Sequence, residues 1–308
     1  MKNPFRLLMI SAMYENGGNT THRFLDGHSQ MYVYPFESQL GTKLVNDALT
    51  SMFPAKYRWP EFRLDASAAE DYQFIIDEET KVRARTPSVS KFRSADFQFS
   101  NEERKKIYQD LIRRRGRSRA NNVAAFFQST FMAWKNYRCT GKEKVYVGYS
   151  PVVLVDAEKI LQDFPSAHVL HVVRNPWSAY ADTKKRPVPL SLENYFLGWN
   201  LNQYFALLFK KKYPRQVHIV RLEDVLKDPR RTLGRLCKNL GLKAEESLSS
   251  VSWNGAPLRE VYPWGTIHRA TAQANKETAQ ELSRQEKNTI KNLTWQYLKV
   301  FGYENFVR

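Results

Sequence analysis

Apolar residues in this chain fall in short runs separated by amphipathic stretches. The first run, Phe5 to Ile10, has the length of a buried strand and is far too short to span a membrane. Glu15-Asn-Gly-Gly-Asn-Thr-Thr21 follows, then a helical segment from His22 to about His28. Lys144 to Val147 is a second strand candidate, with Ser150-Pro151 and a helical stretch around Val155 to Phe164 behind it. Pro165 and Ser166 turn the chain into a third, Val169 to Val173, and Val217 to Leu222 is a fourth. Asp228-Pro229 opens an amphipathic helix carrying Leu233, Leu236, Cys237 and Leu240, which Gly241 closes. Ser100-Asn-Glu-Glu103 and Ser283-Arg-Gln-Glu286 have the spacing of capping boxes, so helices start at both places. Apolar strands alternating with helices predict an α/β fold with a mostly parallel sheet covered on both faces.

Two loops in that frame suit anions. The strand Val169 to Val173 ends abruptly in Arg174-Asn175-Pro176, and Pro176 can open a helix because its missing N–H costs nothing there. Ligands of open α/β sheets bind outside the carboxyl ends of strands. An arginine fixed at such an end, with Ser178 just behind it, suits a phosphate, which a guanidinium binds bidentately. The loop after the first strand offers Asn16, Gly17, Gly18, Asn19, Thr20 and Thr21. Strand, glycine loop and helix together bring backbone N–H groups and the helix dipole to an anion. No Gly-Lys-Ser/Thr follows, so this is not the loop of a nucleotide hydrolase.

Charge sharpens the picture. The net charge of +17 over 308 residues implies an anionic partner: nucleic acid, membrane surface or a polyphosphorylated small molecule. Arg113 to Arg119 carries five arginines at the end of a predicted helix, where cations complement the dipole. A polyanion- or nucleic-acid-binding protein is the alternative reading of that run, but Phe126 and Phe127 are the only aromatic residues close to it. The sign reverses between Glu61 and Glu79, where seven acidic residues face only Arg63, with Trp59, Phe62, Tyr72 and Phe74 interleaved. Such a stretch is either a solvated insertion or a wall that attracts a cationic ligand by charge and cation–π contact. The second reading singles out Trp59, Asp65 and Tyr72. Cys139 and Cys237 are far apart and fit no metal or redox spacing, which points to free thiols in a reducing compartment. No apolar run reaches membrane-spanning length, and a soluble, cytoplasmic protein is expected.

Four blocks in order resemble the sulfotransferases that use 3'-phosphoadenosine 5'-phosphosulfate (PAPS), in particular bacterial enzymes that tailor small secondary metabolites. The glycine loop with Phe24-Leu-Asp-Gly-His28 resembles the family's 5'-phosphosulfate loop and first helix. Val172-Val-Arg-Asn-Pro176 resembles its 3'-phosphate strand and turn. Val220-Arg-Leu-Glu-Asp224 with Asp228-Pro229 resembles a third block, and Leu282 to Tyr303 its last helix.

The resemblance implies a P-loop-like three-layer sandwich, formed by a single domain over 1–308 with a variable acceptor-binding insertion at about 50–140. It implies PAPS as sulfuryl donor, held by residues 16–21, by Arg174 and Ser178, and by Asp182 and Arg186, with no metal. The acceptor is a hydroxyl or amine of a small molecule, not a nucleic acid or a membrane. A cationic acceptor, such as a guanidinium alkaloid of the saxitoxin type, suits the acidic segment. Glu37, in Tyr34-Pro-Phe-Glu37, stands where some members place a catalytic glutamate, with His22 and His28 as rival bases. The chain also departs from the pattern, which keeps another phosphate-loop transferase in view. The family's loop cation falls on Glu15 or Gly17, a second lysine is Tyr149, and the serine eight positions after the arginine is Asp182. Ser178 or Thr183, with Lys184, Lys185 or Arg186, would have to take over.

Overall fold

The computed structural model describes residues 5–259, 269 and 271–307. Its main sheet has five strands: β1 (Leu7–Ala12), β2 (Met31–Val33), β3 (Val145–Tyr149), β4 (His168–Val173) and β5 (Val217–Arg221). They lie in the order β2-β3-β1-β4-β5, and every neighbouring pair is parallel. β1 is buried throughout, which explains why it reads as a continuous apolar run rather than an alternating one. Its residues alternate between two cores. Leu8 and Ile10 pack with Leu170, Val172, Leu233 and Leu236, while Leu7 and Met9 pack with Val169, Val217, Phe126 and Phe127. Helices on both faces give the three layers expected. β2 escaped the sequence reading because three residues are too few to show a period.

Parallel neighbours need crossovers, and helices supply them. Gly18–Leu25 connects β1 to β2, Ala157–Asp163 precedes β4, and Pro176–Lys184 with Leu192–Lys212 leads to β5. The chain leaves β1 toward one edge of the sheet and leaves β4 toward the other. The topological switch point therefore lies between β1 and β4, which is where a ligand crevice is expected.

The long excursion between β2 and β3 is helical: Ala68–Ile75, Glu78–Arg85, Asn101–Arg115 and Arg119–Ala133. Ser100 caps the third of these helices through the Glu103 N–H, and Ser283 starts Arg284–Phe301 with a full reciprocal capping box. Arg104 is buried in this layer. Its guanidinium lies 4.3 Å from the Phe126 ring centre and 3.7 Å from Asp77, so both an aromatic face and a counter-charge offset its desolvation.

The acidic segment and the basic run meet here. Arg117 pairs with Asp71 at 2.7 Å, and Arg119 pairs with Glu61 at 3.0 Å and Asp163 at 2.6 Å. Glu61 and Asp71 of the acidic segment are thus matched by arginines 40 to 60 positions downstream, a pairing visible only after folding. No described helix is long and apolar enough to cross a membrane.

Candidate functional site

Ala12 at the end of β1 pairs with Val172, so the loop after β1 and the turn after β4 are neighbours. Asn16 stitches them together. Its Oδ1 accepts from the Arg174 N–H and from Trp199 Nε1, both at 3.1 Å, and its Nδ2 donates to the Tyr195 hydroxyl at 2.9 Å. Asn16 is buried by this work and serves the loop's shape.

Gly17 follows in the left-handed region at φ 85°, which a side chain rarely adopts. A Cβ at Gly18 would lie 2.3 Å from the Tyr149 ring. Both positions need glycine for reasons of backbone and space. Gly18 then opens the helix Gly18–Leu25, whose N-cap, Gly17, offers no side-chain cap. The amides of a first turn have no acceptor within their own helix and carry the positive end of the dipole.

These amides border a cavity of about 590 Å³. Gly17, Gly18, Asn19 and Thr20 line it on one side. Lys56, Lys91 and Arg186 add positive charge to the wall, and Glu15, Glu37, Glu78 and Glu79 add negative charge. Glu37 is fixed between two amides: its Oε1 accepts from Asn19 Nδ2 at 3.2 Å and its Oε2 from Gln39 Nε2 at 2.9 Å. Arg186 lies 4.8 Å over the Tyr14 ring and 4.0 Å from Glu15 Oε1. Burial pushes the Tyr14 hydroxyl up to about 12, and that of Tyr57 up as well, so both stay protonated as donors at the cavity wall.

The remaining residues singled out in the sequence lie elsewhere. Thr21 is buried beneath the loop, and its hydroxyl has no partner among the described residues. His22 is fully buried with its Nδ1 2.9 Å from Arg23 Nη2. Burial and the Arg23 charge hold its pKa well below the usual value, and it does not line the cavity. His28 pins a turn, donating from Nε2 to the Lys243 carbonyl at 2.9 Å.

The acidic-segment residues Trp59, Asp65 and Tyr72 do not reach the cavity either. Trp59 is buried with Nε1 on Asp163 at 2.7 Å, and Tyr72 is buried with its hydroxyl on Asn101 Oδ1 at 2.6 Å. Asp65 sits in solvent, paired with Arg63 at 2.6 Å. The segment's buried aromatic residues joined the core that also holds Leu7 and Met9 of β1, and most of its charges went into ion pairs. Only Glu78 and Glu79, at its far end, line the cavity.

Lys56 and Lys91 carry no signal in the sequence, because each is an isolated lysine in an irregular segment. They reach the glycine loop only through the path of the excursion between β2 and β3. With Arg186 they supply cations near a loop that has none of its own.

Arg174 lies just behind the cavity wall. Its Nη1 donates to the Glu15 carbonyl at 2.9 Å and to Asp182 Oδ2 at 2.7 Å, and its Nε to Asn275 Oδ1 at 2.6 Å. Ser178 donates its hydroxyl to the Asn275 carbonyl at 2.5 Å. Among the described residues no group of His, Cys, Asp or Glu is arranged to hold a metal ion.

The profile of the sulfotransferase family matches residues 17–246. A comparison with curated proteins finds no match. Among solved structures, the sulfotransferase domain of the Synechococcus PCC 7002 olefin synthase aligns over 99% of this chain and 97% of its own, at 16% identity and a TM-score of 0.58. A sulfotransferase from Alicyclobacillus acidocaldarius aligns over 99% and 98%, at 13% identity and a TM-score of 0.43. Retinol dehydratase, solved in complex with androsterone and inactive cofactor PAP, aligns over 96% and 82%, at 14% identity and 0.43. The matched span runs from the glycine loop through β5 and beyond, and the parallel sheet is shared with the first of these structures: the chain belongs to the sulfotransferase family and is a sulfotransferase.

Proposed function

We propose that the chain transfers a sulfuryl group from PAPS to a hydroxyl or amine of a small, cationic molecule. The observation that carries this reading is the cavity itself. One space is lined by the first-turn residues Gly18 to Thr20, by Lys56, Lys91 and Arg186, and by the Glu37 carboxylate, 3.2 Å from Asn19. A 5'-phosphosulfate end fits the donor side: the left-handed Gly17 opens the loop, the amides of Gly18 to Thr20 point to the anion, and Lys56, Lys91 and Arg186 balance its charge. When bound, PAPS supplies the sulfuryl group and a stable leaving phosphate.

The chain's own residues do the rest. Glu37 takes the acceptor's proton as its oxygen or nitrogen attacks. Asn19 and Gln39 hold that carboxylate in place. The loop amides and Arg186 receive the charge that builds on the departing phosphate. Arg174, with Ser178 and Asp182 around it, stands on the 3' side of the nucleotide.

A cationic acceptor is favoured because Glu37, Glu78 and Glu79 share the acceptor wall with Phe36, Phe92 and Tyr57. A guanidinium alkaloid of the saxitoxin type has that chemistry, as a product of secondary metabolism would. The excursion at about 50–140 within a single 1–308 domain supplies Tyr57, Glu78, Glu79 and Phe92 of this wall. Two free thiols, Cys139 exposed and Cys237 buried, suit the cytoplasm. A polyanion-binding role is less well supported, since Arg117 and Arg119 are committed to Asp71, Asp163 and Glu61.

The test is incubation with PAPS and a panel of cationic, neutral and anionic hydroxyl and amine compounds, read by mass spectrometry. Gain of one sulfuryl group on cationic members is expected. Absence of transfer to every class, with no thermal shift from the desulfated nucleotide, would overturn the reading.

A further inference from the structure

Arg174 stands at the carboxyl end of β4 beside the switch point, yet Nη1 and Nε of its guanidinium are already taken, which leaves Nη2 as its remaining donor among the described residues. Nη1 serves both Asp182 and the Glu15 carbonyl, and Nε serves Asn275. The Arg174 and Asp182 side chains are only 3% and 6% exposed, so this ion pair is desolvated and strong in geometry. The pair continues outward. The second oxygen of Asp182 lies 3.0 Å from Lys185 Nζ, and Lys185 lies 2.9 Å from Glu281. Lys184, the next cation along, is paired with Glu286 at 2.6 Å. Two positive and two negative groups thus alternate from Arg174 to Glu281, with no charge left over. The Ser178 hydroxyl is likewise spent on Asn275.

We infer that Asp182 is a built-in competitor for Arg174, which a nucleotide 3'-phosphate must displace from Nη1 or approach against its charge, so that this chain distinguishes only weakly between nucleotides with and without that phosphate. The inference rests on the reading that Arg174 faces the 3' side of the donor. A dianion approaching Arg174 meets the Asp182 carboxylate within hydrogen-bond distance of the same nitrogen, and like charges at that range repel in a poorly solvated site. A phosphate that takes Nη1 must break the Arg174–Asp182 contact, and one that takes Nη2 is held beside the Asp182 carboxylate. Lys185 is placed to keep Asp182 paired when that contact breaks. A serine at 182 would impose neither the repulsion nor the exchange, and would offer a donor instead. Asp182 is therefore a specificity-determining residue for the donor. It withholds part of the binding energy that a 3'-phosphate would otherwise gain, while a free 3'-hydroxyl meets an acceptor carboxylate rather than a bare cation.

The experiment measures affinities of the full chain for 3'-phosphoadenosine 5'-phosphate and for AMP, by calorimetry and by thermal shift. The variants are Asp182→Ser, the isosteric Asp182→Asn, and Asp182→Ser combined with Arg174→Ala. Wild type should prefer the 3'-phosphorylated nucleotide by less than about tenfold. Both single variants should widen the preference to about a hundredfold or more, with AMP affinity little changed, and adding Arg174→Ala should abolish the gain. Where a variant melts lower without ligand, the 3'-phosphorylated nucleotide should restore its melting temperature and AMP should not. A wild-type preference already near a hundredfold, or a preference that both Asp182 variants leave unmoved, would overturn the inference while the donor site stands. Failure of every form to bind either nucleotide would overturn the donor site itself, and the role of Asp182 with it.

Discussion

Asn19 donates its side-chain amide to Glu37 at 3.2 Å, joining the first turn of the helix behind the glycine loop to a carboxylate eighteen positions later. Both residues line one cavity. The bond holds Glu37 in a defined place without neutralising it, because an amide orients a carboxylate and carries no charge.

Glu37→Gln keeps the Asn19 contact, since the new carbonyl can accept the same hydrogen bond, but the side chain can no longer take a proton. Turnover is expected to fall by roughly 10²–10⁴-fold with nucleotide affinity unchanged. Steady-state kinetics alongside calorimetric nucleotide binding check this. Near-normal turnover would shift the base to Glu78 or Glu79, the other carboxylates on that wall.

Charge on the acceptor side should act by position, not by membership of the acidic segment. Glu78→Gln is expected to raise KM for a cationic acceptor and leave that for PAPS alone, the pattern of lost uniform binding. Asp65→Asn, on an exposed residue paired only with Arg63, should change neither. Equal effects of the two substitutions would place the acceptor elsewhere.

Gly18→Ala tests the loop's steric limit. The added Cβ would meet the buried Tyr149 ring at 2.3 Å, so a loss of about 1–3 kcal/mol in denaturant unfolding is expected, as for overpacking. Tyr149→Leu in the same chain should recover part of it, because the two sites share one space. Additive losses in the double variant would refute the steric account.

Buried histidines make stability depend on pH, and His171 and His218 set the window alongside His22 and His168, which are lowered in the same direction. His171, buried in β4 with Nε2 on Gln203 Oε1 at 3.0 Å, is held down to about 4 by desolvation. His218 is also brought to about 4, by desolvation first and then by His168 and Lys210. The folded state keeps both rings neutral while the unfolded chain protonates them near pH 6.5. Their contribution is therefore present above pH 6.5 and is lost as pH falls toward 4. Each adds a slope of at most about 1.4 kcal/mol per pH unit in that window. Unfolding at stepped pH should show the decline, and His171→Gln should flatten it. An unchanged slope in that variant would mean His171 is protonated in the fold.

The layers and the glycine loop were legible in the chain before folding. Those features are local: a continuous apolar run such as Leu7–Ala12 means a strand buried on both faces, and two glycines before a helix mean a left-handed turn with open amides. Arg174 at a strand end was legible for the same reason.

Only the tertiary structure decided who meets whom. Glu61 and Asp71 look like a binding wall until Arg119 and Arg117 arrive from a later helix and cancel them. Lys56 and Lys91 are unremarkable in the chain and become cavity cations because a long excursion returns over the loop, where they join Arg186. The fate of Arg174 turned on Asp182 and on Asn275, a hundred positions away. Hydrophobic period and turn chemistry act over a few residues. Charge compensation acts through space, and the spacing of residues along the chain does not encode it.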